Sequence, residues 1–257
     1  MTAKTIKNIC RFCEQKKKLI KAHIIPRNFY LDYKSEKYVG VNSQTGEFVL
    51  QQCGSYDKNI LCEDCDSKIL RIFEEEGYRV LLKEIFNHPF SIEPYQTIYH
   101  MQTGEFNYQL LRKFFITILW RASVSNLEEC KNINLGPYEK KALEILKGQK
   151  EYDNLFKILI YKSPEGRDFN KLVFIGKATY KKTTAYVINM AGYSAFVIVN
   201  YKNCDIKIKQ LYAPYFLDED HLYVIESEYI HQQRLKDFLK RTNDMWSRGI
   251  KPPNIKY

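Results

Sequence analysis

A chain of 257 residues with 45% hydrophobic and 14% aromatic side chains can bury sizeable cores, and its composition excludes a disordered or low-complexity polymer. Forty lysines and arginines against thirty acidic residues give a net charge of +10, which directs attention to anionic partners. The most apolar stretch, Leu110 to Trp120, carries Arg112 and Lys113 and is followed by Arg121, so it reads as a buried helix; a membrane span needs about 20 residues with few charges.

The N-terminus is polar and basic with no apolar signal core, which predicts a cytoplasmic protein. Residues 1–34 hold nine basic side chains against two acidic ones, a net of +7. Within them, Cys10-x-x-Cys13 forms a knuckle, Lys16 to Lys18 its exposed turn, and Leu19, Ile20, Ile24 and Ile25 a strand that Pro26 ends, because proline has no N–H to give the ladder. Turn chemistry at Asn42 to Gly46 between Lys37–Val41 and Glu47–Gln51 predicts a hairpin. Cys62-Glu63-Asp64-Cys65-Asp66 supplies a second pair of cysteines at the same spacing. Two such pairs offer the four thiolates of a closed tetrahedral zinc site, so a structural Zn2+ on Cys10, Cys13, Cys62 and Cys65 is expected. The gap of 48 residues from Glu14 to Leu61 means that the ion ties a distant helix to the knuckle. Cys53, Cys130 and Cys204 are left without evident partners, as is usual in a reducing compartment.

From Cys62 the apolar positions Ile69, Ile72, Phe73, Val80, Leu81 and Ile85 recur at helical spacing, with a break possible at Gly77. Asn87 to Phe90 stops this helix, and the chain to Gln102 reads as irregular or short strand. A second helix, apolar on nearly all sides, runs from about Asn107 to Ser125 and belongs at the centre of a second lobe. A third begins after Gly136-Pro137. From Leu155 the period changes to two: Leu155–Tyr161, Lys171–Tyr180, Thr184–Met190, Ala195–Asn200 and Asp205–Leu211 are expected as strands of an antiparallel meander, closed by a helix over Ser227–Arg241 and a proline-containing tail. Residues 231–257 form a second basic segment, with seven positive side chains against Asp237 and Asp244.

The C-x2-C knuckle, the Ala22-His23-Ile24-Ile25-Pro26 strand and Leu61-Cys62-x-x-Cys65 opening a helix together resemble the HNH, or ββα-metal, endonuclease family over roughly residues 8–75. By that resemblance the hairpin is an insertion, His23 is the general base of phosphodiester hydrolysis, and one Mg2+ or Mn2+ steadies charge on the phosphate. Asp66, after the last cysteine, would bind that cation, with Asp57 as a further ligand and Asn59 as a loosely matched catalytic residue. The residue before the histidine, commonly Asp, Glu or His in the family, is here Ala22. The family resemblance also implies bacterial defence or mobile-element nucleases acting on phage or plasmid DNA.

The expected architecture is α+β: a zinc-bound treble-clef or ββα-metal lobe over residues 1–86, then helices and an antiparallel sheet over 87–257. The expected function is an HNH-type metal-dependent endonuclease, with DNA before RNA as its substrate, the basic side chains of Lys16, Lys17, Lys18, Lys21 and Arg27 on its phosphates, and the second lobe open to a protein partner. The alternative is a non-catalytic zinc-stabilised module that binds nucleic acid or docks to a protein. No membrane partner is expected.

Overall fold

The structure is a computed structural model that describes residues 9–30, 38–41, 48–51, 54–164, 172–181 and 183–227. The fold is α+β, with four α-helices among these residues and one large, mostly antiparallel sheet. The chain opens with the cysteine knuckle and a two-residue strand β1 (Ala22–His23). The two strands of the predicted hairpin are present as β2 (Tyr38–Val41) and β3 (Phe48–Gln51), paired antiparallel with Gly40 opposite Val49; the turn expected at Asn42 to Gly46 lies outside the described residues. Strand β4 (Tyr56–Asp57) returns beside β1, with Ala22 opposite Asp57 and His23 opposite Tyr56. The rest of the predicted Leu19–Ile25 strand is not ladder: Leu19 makes only an isolated bridge to Cys62, and Ile24 donates its N–H to the Ser55 carbonyl at 3.0 Å.

One long helical run then leaves the second cysteine pair. Its centre is α1 (Arg71–Arg79), flanked by wider π-type turns at Cys65–Leu70 and Val80–Glu84. The possible break at Gly77 does not occur, and its cause is steric: a Cβ there would come within 2.7 Å of the Phe114 ring. Glycine in this helix permits the close approach of α2 (Tyr108–Val124), in which Leu111, Phe114, Phe115, Ile118 and Leu119 are fully buried. Helix α2 starts where Asn107 accepts the Leu110 N–H at 3.0 Å, and α3 (Tyr138–Leu146) follows Pro137 as its sequence implies.

Between α1 and α2, the stretch expected as irregular or short strand forms two strands, β5 (Pro89–Glu93) and β6 (Gln96–Gln102). The remaining strands are β7 (Leu155–Lys162), β8 (Leu172–Tyr180), β9 (Thr183–Met190), β10 (Tyr193–Asn200) and β11 (His221–Ser227). The sheet order is β3-β2-β8-β9-β10-β7-β11-β6-β5, so a simple meander holds only for β8 to β10. Two junctions, β2 with β8 and β11 with β7, are parallel. The Asp205–Leu211 segment, expected as a strand, is instead helix α4 (Ile206–Tyr212). Its Ile-Lys-Ile-Lys alternation imitates a strand, but Asp205 caps a helix by accepting the Lys207 N–H at 3.0 Å. Most of the closing helix expected over Ser227–Arg241, with the tail beyond it, lies outside the described residues; Ser227 itself ends β11.

The buried core is continuous from the knuckle to the sheet: Cys10, Leu61, Phe114, Trp120, Ile160 and Val224 belong to one packed cluster. Helix α2 is its axis. Phe29 stacks on Phe114 with ring centroids 5.1 Å apart, and Phe12 of the knuckle meets Trp120 edge-on at 5.8 Å.

Candidate metal centre and the cluster beside it

The knuckle is shaped by backbone bonds before any ion is considered. Cys10 accepts the Glu14 N–H at 2.8 Å and donates its own N–H to Gln15 at 3.0 Å, and Glu14 takes a left-handed φ of 60° to close the turn. Arg11 donates to the Ile60 carbonyl and Ile20 to that of Leu61, which fixes the knuckle against the approach to Cys62. As a result the four sulfurs of Cys10, Cys13, Cys62 and Cys65 lie within 4.8 Å of one another, with Cys13 and Cys62 at 4.0 Å. A tetrahedron with Zn–S bonds of about 2.3 Å has an edge of about 3.8 Å, so the cluster fits such an ion.

The electrostatics point the same way. Burial works against the Cys10 thiol, yet the N–H groups of Cys13, Cys62 and Phe12 hold it below its ordinary value. Burial, aided by the neighbouring sulfurs, pushes Cys62 and Cys65 upward. Four clustered sulfurs, three of them on buried cysteines, cannot all ionise without a cation among them, so a metal such as zinc suits this donor set and would release protons on binding. Cys62 also points its N–H at the Cys10 sulfur, 3.4 Å away.

Beyond the metal corner, Asp66 and His23 come together through a residue that sequence reasoning did not assign to the site. Arg121, near the end of α2 and only 1% exposed, donates to the Asp66 carboxylate at 2.6 Å and to the His23 backbone carbonyl at 3.0 Å. It also pairs with Glu74 of α1 at 2.6 Å. The carboxylates of Asp66 and Glu74 keep 20% and 23% of their exposure. Burial holds Glu74 above the usual carboxylate range, against the charge of Arg121, which pulls it down. The signal that could have found this cluster is a lone arginine within an otherwise apolar helical face, since a buried guanidinium needs acceptors.

No family model, curated protein or solved structure matches the chain at a significant level.

The other expected residues fall into two groups. Asp57 is 3% exposed, and both its oxygens are engaged: one accepts the Asn59 N–H at 2.8 Å, the other the Ser125 hydroxyl at 2.7 Å and the Asn126 N–H at 3.2 Å. It locks the β4 turn to the end of α2, so the oxygens expected to bind Mg2+ or Mn2+ are engaged within the chain. Asn59 is exposed one residue beyond Lys58 on the same turn. Ala22 is fully buried and offers no donor.

Of the basic side chains, Lys17 is drawn to Asp64 at 3.1 Å, and that carboxylate also holds Lys68 at 2.6 Å. Lys68 and Lys17 together keep Asp64 below its ordinary value. Lys16, Lys18, Lys21 and Arg27 are exposed. Tyr56 lies beside His23 with ring centroids 5.9 Å apart, and the ammonium groups of Lys21 and Lys58 sit 5.1 Å and 6.0 Å from its ring centre. This makes a half-buried aromatic flanked by two cations at the edge of the short β1–β4 ladder.

Among the described residues, no helix is long and apolar enough to cross a membrane.

Proposed function

We propose that the chain is a zinc-stabilised nucleic-acid-binding protein whose N-terminal segment follows an HNH-like plan without a working hydrolytic cation site. The observation that carries this reading is the Tyr56 ring beside His23, with the Lys21 and Lys58 ammonium groups 5.1 Å and 6.0 Å from its centre. A base can stack on such a ring while the ammonium groups meet phosphate oxygens, a combination that binds single strands or exposed bases with little sequence preference. Lys16, Lys18 and Arg27 extend the positive surface. Hydrolysis is disfavoured on chemical grounds. Ala22 supplies no ligand, Asp57 is engaged internally, and the Asp66 carboxylate already holds a guanidinium.

A second reading, a single-cation HNH nuclease acting on phage or plasmid DNA with Mg2+ or Mn2+, is favoured by one observation: Arg121 holds Asp66 and the His23 backbone on one group. One set of assays separates the two. Zinc-loaded protein and Lys21→Ala are tested for binding to single- and double-stranded DNA and RNA across a salt series, and for cleavage with Mg2+, Mn2+ or EDTA beside His23→Ala. Binding without cleavage, with Lys21→Ala reducing the logarithmic salt slope by about one unit, supports the module. Cleavage that requires both the cation and His23 supports the nuclease, and failure to bind any nucleic acid removes both.

A further inference from the structure

Three histidines that fit no ligand spacing in the sequence come together where β6 meets β11. Tyr223 stands opposite His100 and His221 opposite Gln102 in the antiparallel register, so His100 and His221 are diagonal neighbours on one face. Their facing ring atoms, Nε2 of His100 and Nδ1 of His221, are 3.0 Å apart. His100 lies flat on the Tyr223 ring, with centroids 4.4 Å apart and planes at 9°, and meets the Phe90 ring edge-on at 5.2 Å. The ring plane is therefore held by packing. His88 follows close by: its carbonyl accepts the His100 N–H at 2.9 Å, and its Nδ1 is 3.4 Å from the Glu105 carboxylate.

We propose that His100 and His221 form a second metal site, separate from the cysteine corner, that takes a borderline divalent transition ion such as Ni2+, Cu2+ or Zn2+ through two imidazole nitrogens, with water completing the sphere. Two nitrogens bound at about 2.1 Å on adjacent corners of a square or octahedron lie about 3.0 Å apart, which is the observed separation. A metal ligand must be neutral imidazole, and the surroundings favour that form. Partial burial lowers the pKa of His100, and the nearby His221 and His88 lower it further against the pull of Glu105. Without an ion, one of these two nitrogens carries a proton and donates it to the other; a divalent ion takes both lone pairs once that proton moves to the far nitrogen of its own ring. Imidazole donors select ions of this class over Mg2+ and Ca2+, which prefer oxygen. The proposal does not depend on the nucleic-acid reading, because none of its residues lies in the zinc corner or the Tyr56 surface.

The test is a calorimetric titration of the zinc-loaded full chain with NiCl2 at neutral pH, beside His100→Gln, His221→Gln and His23→Gln. The expected result is one saturable Ni2+ equivalent. It should be weakened about tenfold or more by each of the first two substitutions, unchanged by the third, and lost as the pH falls below the imidazole range. Zinc content is read in every sample, so displacement from the cysteines would be seen as lost zinc. The proposal is overturned by the absence of saturable binding below about 1 mM Ni2+, or by binding that neither His100→Gln nor His221→Gln alters.

Discussion

The molecule joins its N-terminal segment to the rest of the chain at two neighbouring points by opposite chemistries. At one, four sulfurs from residues 10–13 and 62–65 converge on a site suited to a metal ion; at the other, Arg121 gathers Asp66, Glu74 and the His23 carbonyl. The first is a cluster of thiols that can ionise together only around a cation from outside. The second carries its cation covalently, on helix α2. A fixed guanidinium satisfies acidic groups without the open coordination positions that hydrolytic metal chemistry requires. The difference teaches that one helix start can serve two kinds of joint, since the run that presents Cys65 to the other sulfurs presents Asp66 to an arginine.

The comparison breaks most completely at the sulfur cage. Structural zinc contributes apparent binding energies of about 10–16 kcal/mol in small zinc-dependent folds, and an ion on these four sulfurs would hold the knuckle to the helix start. Cys62→Ser is therefore expected to lose zinc on dialysis against a mild chelator and to lose hydrogen-exchange protection across residues 9–30, which mass spectrometry would read. Retained zinc and protection would mean that packing by Phe12 and Trp120 alone holds the corner.

At the arginine, removal leaves two partly buried carboxylates without their counter-charge. Breaking a buried pair costs about 3–5 kcal/mol, and the remaining exposure of Asp66 and Glu74 places Arg121→Met near the lower figure. Urea denaturation should show that loss with zinc content unchanged. Arg121→Met combined with Asp66→Asn and Glu74→Gln should recover much of it, because neutral amides no longer need the cation. A full loss in the triple variant would place the arginine's value in packing and not in charge.

How legible each joint is follows from how its chemistry is encoded. The cysteine cage is written in local spacing, since Cys10-x-x-Cys13 and Cys62-x-x-Cys65 each fit a single turn and only their partnership is long-range. The α+β class and strands β7 to β10 were readable for a similar reason, as each is a local run of eight or nine residues rich in β-branched and aromatic side chains. The arginine clamp has no such spacing: Arg121 meets partners 55 residues away at Asp66 and 98 away at His23. In the sequence it marks only an interruption of an apolar helix. The part Asp57 plays in its turn is not legible in the sequence, because a carboxylate near a ladder edge looks available until its turn partner and the Ser125 hydroxyl are located. Helix α4 was missed because its short alternating run satisfies a strand pattern, and one capping aspartate decides the matter. The strand order β10-β7-β11 depends on long connections that the periodicity of individual strands does not record.

The smallest effect sharpens the comparison by pH. Burial raises the Glu74 carboxyl above its ordinary value of 4.5, and Arg121 only partly offsets this. A carboxyl raised on folding holds its proton more tightly in the native than in the unfolded chain. Its ionisation therefore costs stability as pH rises through the window between 4.5 and the raised value, and the cost is complete above that window. Lowering the pH through the same window should relieve it. Asp64, held low by Lys68 and Lys17, acts in the opposite direction at more acidic pH, so the informative quantity is the difference between wild type and Glu74→Gln in paired urea titrations. That difference should change across the window above 4.5 and be flat below it, and in an Arg121→Met background the window should extend to higher pH because the group that lowers Glu74 is gone. A window that stays in place without Arg121 would mean that the guanidinium does not govern Glu74, and that the second joint is held by shape instead of charge.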